Sequence, residues 1–199
     1  MQLRSKMGNS LAEFAVVISL MAILIGAGQV RFSQSTGQSK IKKSAESINK
    51  IIMAANNFYL NTSNEEGIGR FPGQDKWTEN VPDSTEGYSS VENALEDLAE
   101  GKFDSYLNGS AYGNKWVSVF GINNPDAKIF HQHVDKIHTD DTGSKIGPDE
   151  WLDYIDVMKS PFQDGHYIYT VIGGNSNSRP AIIVTDLYRP AEEYIVFRP

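Results

Sequence analysis

Residues 4–30 read RSKMGNSLAEFAVVISLMAILIGAGQV, a short basic stretch followed by a long apolar run. From Phe14 to Val30 this run contains no charged residue, and the 20-residue segment 11–30 contains one acid, Glu13. A helix of about 20 mostly apolar residues can cross the hydrocarbon core of a bilayer. The sequence therefore predicts a transmembrane or assembly helix at residues 11–30.

Two ordinary kinds of membrane-directed N-terminus fit this segment poorly. A secretory signal peptide has a shorter apolar core, of about 7–15 residues. A plain single-span anchor accommodates the length but gives no role to Glu13. An ionisable residue inside a membrane segment is costly and by default indicates a function. The alternative is that Glu13 lies high enough in the membrane to reach the headgroups.

The string from Lys6 to Phe14, KMGNSLAEF, resembles the processing site of type IV prepilins and of type II secretion pseudopilins. That family has a short basic leader ending in Gly, is cut after that Gly, and has Glu at the fifth position of the mature chain. The resemblance implies a cut between Gly8 and Asn9, which removes the leader 1–8. It also implies that Glu13 and Phe14 begin the segment through which subunits assemble. The family most often has Phe where this chain has Asn9, so N-methylation stays open.

The resemblance implies a structural subunit of a type IV pilus-like or pseudopilus filament, and not an enzyme. Its implied partners are further copies, other pilin-like subunits, a prepilin peptidase, an inner-membrane assembly platform and, before assembly, the membrane itself. Because Arg4 and Lys6 precede the apolar run, the positive-inside rule keeps that end cytoplasmic and directs the remainder into the periplasm. The precursor would thus lie in a bacterial inner membrane, and the product in a pseudopilus or an extracellular filament. A membrane-anchored periplasmic binding module, an adhesin or a binder of secretion substrates that does not polymerise, remains the alternative.

The position of Glu13 has a physical meaning in such a filament. Cleavage leaves a free α-amine on Asn9, close to a carboxylate one turn along the helix. A carboxylate in hydrocarbon is unfavourable unless it is paired. An α-amine that meets the Glu13 of a neighbouring copy would neutralise both charges and fix the stagger between helices. Head-to-tail contacts that do not close produce filaments.

The helix is expected to continue beyond the apolar run. Apolar residues recur there at spacings of three and four, at Ile41, Ala45, Ile48, Ile52, Ala55 and Tyr59. The sequence predicts one stem helix at 9–60, ended by the polar residues 61–64 and by Gly67. The alternative is an anchor and a separate soluble helix, with a break at 33–37.

Residues 61–199 are expected to form the globular head of a pilin-like α+β fold. Three β-rich runs, 166–172, 181–185 and 194–197, are separated by short polar connections and predict an antiparallel meander. Packed on the upper stem, this sheet would cover Ile48, Ile52 and Tyr59. The entry to the sheet, SPFQDGHYIY at 160–169, loosely resembles that of major pseudopilins of type II secretion.

The remainder of the head contains a loop and two short helices in the sequence-based prediction. Phe71-Pro72-Gly73, followed by Trp77, Pro82 and Gly87, indicates a long surface loop. Ser89-x-x-Glu92 has the pattern of a capping box and predicts a helix closed by Gly101. A second helix is expected to begin at Pro148, with one apolar face formed by Trp151, Leu152, Ile155 and Met158.

Charge and composition exclude several classes of function. The chain has a net charge of −7, and because the leader holds +2 and residues 9–60 hold +3, the head holds −12. Such an acidic head argues against nucleic-acid binding. Cysteine is absent, and no common nucleotide-binding, hydrolase or metalloprotease motif is present.

No cofactor is expected. The weak metal candidates are His131 and His133, within a cluster that also includes His138, Asp135, Asp140 and Asp141. The acids at 140–141 with Asp149 and Glu150 lack the calcium-loop pattern, and a solvated acidic surface explains them better. Many type II pseudopilins bind calcium in their last loop, beside a Gly-rich turn. The corresponding segment of this chain, 185–193, lacks that turn, so no calcium site is expected there.

Overall fold

The computed structural model describes residues 7–82, 87–100, 115–121, 147–162 and 165–199, and for residues 7–36 it describes the helical backbone alone. The chain divides into two compact units, Met1–Lys40 and Ile41–Pro199. Among its described residues, the second unit contains the later part of the first helix, two short helices and four strands. The coarse prediction of an α+β fold, an N-terminal helix with an antiparallel sheet, is confirmed.

The first helix, α1, extends from Met7 to Glu66 without a break at 33–37. It continues six residues beyond the expected end at 60. The buried Thr62 prolongs the inner face, and its hydroxyl donates to the carbonyl of Phe58 one turn earlier. The helix is terminated by the next residue, Gly67, whose φ of 87° is the left-handed conformation that commonly follows the last turn of a helix.

The sheet contains four antiparallel strands in chain order: β1 (Val117–Ser118), β2 (Tyr167–Ile172), β3 (Ala181–Asp186) and β4 (Tyr194–Phe197). The predicted meander of β2, β3 and β4 is confirmed, and β1 was not predicted. In register, Val117 lies opposite Tyr169, and Tyr169 lies opposite Val184.

Both faces of the central strands are covered, so every residue of β2 and β3 is buried. One face packs against α1, whose buried residues there include Ile48, Ile51, Ala55 and Tyr59. The sheet residues in this cluster are Tyr167, Tyr169, Val171, Ile182 and Val184. The expected cover over Ile48, Ile52 and Tyr59 is therefore present, with Ile52 partly buried.

The opposite face of the sheet packs against helix α2, Val91–Ala99. Val91, Ala94 and Leu98 are buried in this contact, and Leu95 packs against it while partly buried. The N-cap is Ser90 and not Ser89, since Ser90 accepts a hydrogen bond from the Asn93 amide at 3.2 Å. Ser89 instead accepts from the Asn93 side chain at 2.9 Å.

Helix α3, Pro148–Leu152, begins at the predicted proline but is shorter than expected. The amides of Tyr154 and Ile155 both donate to the carbonyl of Trp151, at 3.0 Å each, where the helix ends. Trp151 is fully buried, whereas Leu152 is 42% exposed. The apolar spacing beyond Leu152 thus reflects loop residues that contact the core and not a longer helix.

The prediction of a surface loop at Phe71-Pro72-Gly73 is wrong, because all three residues are buried. The fully buried side chain of Gln74 satisfies the backbone of this loop. Its Oε1 accepts from the amide of Phe71 at 2.7 Å, and its Nε2 donates to the carbonyls of Trp77 and Glu79. Paired polar groups are what allow a loop to enter a protein core.

Candidate functional site

The residues of the predicted processing and assembly segment lie at the start of α1. Gly8, Asn9, Glu13 and Phe14 are in the helical backbone from Met7 onward, and their side chains lie outside the described residues. The weak metal candidates His131 and His133 also lie outside the described residues, as do the acids at 140–141.

Side chains are described for the part of the chain from residue 37 onward, within the ranges given above. Within that part, no helix combines the length and the apolar character needed to cross a membrane. The predicted span 11–30 falls outside it. The same part contains no group of three or more His, Cys, Asp or Glu residues placed to hold a metal ion.

Glu150, one of the acids considered for calcium, forms a structural ion pair with Arg70. The Arg70 Nη1 and Glu150 Oε1 atoms are 2.6 Å apart, and the two side chains are 19% and 16% exposed. Glu150 Oε2 also accepts from the amides of Gly73 and Gly147, at 2.7 and 3.2 Å. Burial lowers the pKa of Arg70, but the hydrogen bond and charge of Glu150 outweigh this, and the pKa is raised. Glu150 therefore fixes the loop after α1 to the start of α3.

A second buried acid, Asp186, ends β3 and is 0% exposed. Its Oδ2 accepts hydrogen bonds from the hydroxyls of Ser44 on α1 and Ser160, at 2.9 and 2.7 Å. Its Oδ1 accepts from the Tyr188 amide at 3.0 Å. Burial raises the pKa of Asp186, and these hydrogen bonds offset part of the effect. The carboxyl group links the stem helix to the connection between β3 and β4.

Glu193, beside Asp186, is 8% exposed, and its carboxylate oxygens accept no hydrogen bond from any described residue. The Arg189 Nε lies 4.0 Å from Glu193 Oε1, while the same guanidinium bonds the exposed Glu192. Burial raises the pKa of Glu193, and so does the neighbouring charge of Asp186, while Ser44 and Arg189 offset part of the effect. Among the described residues, these two acids belong to no group of three or more His, Cys, Asp or Glu side chains placed to hold a metal ion.

An open cavity of about 420 Å³ lies at the turn between β2 and β3. Its lining residues are Ile68, Trp77, Asn175, Ser176, Asn177, Ser178 and Arg179. The main-chain carbonyl of Trp77 accepts a hydrogen bond from the Gly174 amide at 2.8 Å. The indole also packs closely on Gly174, because a Cβ at this position would lie 2.5 Å from the ring. The turn is thereby fixed to the loop that carries Trp77.

A smaller cavity, of about 170 Å³, adjoins the first one and shares Asn175, Ser178 and Arg179 with it. The N-terminus of α2 and Arg198 complete its lining. We call the two cavities together the turn groove. Arg179 lines both cavities, and its Nη1 donates to the hydroxyl of Tyr59 at 3.0 Å.

Sequence reasoning found neither the buried acid pair nor the turn groove. The Asn-Ser-Asn-Ser run at 175–178 indicated only a polar turn. The sequence signal that points to the groove is Arg179. It lies between the polar turn and Pro180, just before a buried strand, and therefore at the end of the sheet.

Comparison with models of protein families, with curated proteins and with solved structures found no match to this chain.

Proposed function

We propose that the chain is a structural subunit of a type IV pilus-like or pseudopilus filament, processed after Gly8 and assembled through its N-terminal helix. The observation that supports this most is the string KMGNSLAEF at 6–14 at the head of an uncharged run, all within one helix that ends at Glu66. The later part of that helix supplies core residues to an antiparallel α+β head. A long helix with its second half buried in a head is the arrangement that the resemblance implies.

In this proposal the mature chain begins at Asn9, and its α-amine pairs with Glu13 of the preceding copy. Each charge would be unfavourable alone in an apolar filament core, so the pair forms only when copies stack with one stagger. Phe14 and the apolar residues after it supply non-directional packing between helices. Assembly requires a prepilin peptidase and an inner-membrane platform, and the membrane holds the subunit beforehand.

The charge distribution supports contact between copies. The stem 9–60 carries +3 and the head −12, so the stem of one subunit attracts the head of another. Such attraction between exposed charges is screened by salt. We therefore expect filaments that loosen as ionic strength rises.

The first test is the intact mass of the chain recovered from membranes. Loss of residues 1–8 supports processing, whereas a mass that includes Met1 contradicts it. The second test compares polymer yield from Glu13→Gln with that from Glu46→Gln. Glu46 is a matched control because it lies on the same helix with its side chain 62% exposed. We expect the first change to abolish polymer and the second to leave it unchanged.

A second candidate function is the membrane-anchored binding module, and the turn groove is the observation that favours it. It predicts an uncut, monomeric chain whose yield and location do not respond to Glu13→Gln. The same two measurements therefore separate the candidates.

A further inference from the structure

The turn groove is built before any ligand arrives. Within the turn, the amide of Asn175 donates to the carbonyl of Ser178 at 2.9 Å, and the reverse bond is 3.2 Å. Asn175 Oδ1 accepts from the amide of Asn177 at 2.9 Å. At its base, the amide of Gly173 donates to Asn80 Oδ1 at 2.8 Å. A rigid site loses little conformational entropy on binding.

The lining combines one aromatic ring with several neutral polar groups. Trp77 and Ile68 supply the apolar surface, and the residues from Asn175 to Ser178 supply amides and hydroxyls. A sugar ring has a matching form, with an apolar face of C–H groups and a rim of hydroxyls that both donate and accept. The larger cavity, about 420 Å³, is within the range of small-molecule sites, about 300–1,000 Å³.

The charge of the groove is opposite to that of the head. Arg179 and Arg198 both line it, and Glu92 is the one acid among its lining residues. Arg198 interacts electrostatically with Glu92, whereas Arg179 forms no ion pair with an acid in the part of the chain that the structure describes. Arg179 is oriented by Tyr59 through one of its five N–H groups, so other N–H groups can meet a carboxylate.

We propose that the turn groove binds a short acidic oligosaccharide, with a sugar ring on Trp77 and a sugar carboxylate on Arg179. A simple anion would use the arginine but not the indole or the amides. A neutral glycan would use those and leave the arginines without a role. This inference is independent of polymerisation, since the groove lies within one head.

The test uses the full chain in a detergent without a sugar headgroup and follows ligand binding by saturation-transfer NMR and calorimetry. The ligands are matched pairs: tri-galacturonate with its methyl ester, and 3′-sialyllactose with lactose. We expect at least one acidic member to bind at least tenfold more tightly than its neutral partner. Absence of binding by both acidic ligands, or equal binding within both pairs, overturns the proposal.

Variants separate the two contacts. Arg179→Ala should lower the affinity for the acidic ligand to that of its neutral partner, and Trp77→Ala should lower both at least tenfold, with partial recovery in Trp77→Tyr. Ser176→Glu is the variant least able to disturb folding, because Ser176 is exposed and makes one hydrogen bond, 3.5 Å long. It should abolish acidic binding, while Lys50→Ala on the exposed side of the stem should change nothing.

Two further outcomes would overturn the proposal. Inorganic sulfate that displaces the oligosaccharide at equal concentration would identify a plain anion site. Ser176→Glu that reduces polymer yield but leaves sugar binding intact would identify a contact between copies.

Discussion

Arg70 forms ion pairs with two carboxylates, one more buried than the other. Comparing them shows how much burial adds to the stabilisation that an ion pair of one guanidinium provides. Glu150 approaches Nη1 at 2.6 Å with its side chain 16% exposed, and Glu66 approaches Nε at 3.1 Å with its side chain 44% exposed. The substitutions Glu150→Gln and Glu66→Gln remove one charge each and keep the side-chain length. We expect very different losses of stability.

The expected losses follow from the hydrogen bonds. In Glu150→Gln the single amide oxygen can face either Arg70 or the amides of Gly73 and Gly147, and the NH₂ group then faces donors on the other side. Charge-assisted hydrogen bonds contribute about 1.5–3 kcal/mol, and breaking a buried pair costs about 3–5 kcal/mol. Since both side chains retain some exposure, we expect a loss of about 3 kcal/mol. The Glu66 pair is an exposed i,i+4 contact, for which about 0.3–0.5 kcal/mol is expected.

The assay is urea unfolding of the full chain in detergent micelles, followed by tryptophan fluorescence. All three tryptophans, Trp77, Trp116 and Trp151, belong to the unit Ile41–Pro199, so the signal reports on the head. High salt should remove the effect of Glu66→Gln and leave most of that of Glu150→Gln. If Glu150→Gln costs no more than Glu66→Gln, the argument that burial strengthens this pair is wrong.

Three further predictions concern the head. Because the pKa of Glu193 is raised, the folded head keeps its proton above pH 4.5, where the unfolded chain loses it, so the free energy of unfolding falls as pH rises through the raised pKa. Glu193→Gln should therefore stabilise the head more at pH 8 than at pH 5, and equal gains in urea unfolding at both pH values would contradict this. Ser90→Ala should cost about 1 kcal/mol of stability because it removes the N-cap of α2, whereas Ser89→Ala should cost less than about 0.5 kcal/mol. The reverse order would identify Ser89 as the N-cap, as the capping-box pattern predicted. Gly173→Ala should cost more than about 2 kcal/mol, because its Cβ would collide with the carbonyl of Thr78, while Gly37→Ala, with nothing within 4 Å, should not lower the thermal midpoint of the head.

The regular elements of the head could be predicted because their signals are local. The strands at 167–172, 181–186 and 194–197 follow from short apolar and aromatic runs between polar turns. The inner face of α1 follows from the spacing of its apolar residues, although Ser44 and Ser47 on that face are polar and were not predicted to be buried. Strand β1 is two residues long, too short for a period to be recognised.

The polar sites could not be predicted, because each depends on a partner distant in sequence. Asp186 is satisfied by Ser44, 142 residues away, and Glu150 by Arg70, 80 residues away. Pro72-Gly73 has the composition of a surface turn, and its burial follows from Gln74 and Glu150, which no local pattern reveals. The assembly segment is the opposite case, since its leader, Gly8 and Glu13 all lie within the first 13 residues.

These long-range contacts explain how a sheet with short strands, of two to six residues, can hold long irregular loops in place. The loops after α1 and β3 are fixed by the side chains of Gln74, Glu150 and Asp186, which accept hydrogen bonds from loop amides where a longer sheet would supply strand partners. These loop amides are therefore already paired within the fold. The turn at 175–178 differs, because its backbone is closed on itself while most of its side chains remain exposed. Because the main-chain groups of this turn bond one another, its side-chain amides and hydroxyls are available to another molecule. The buried acids have no such access, so the binding site is proposed at the turn.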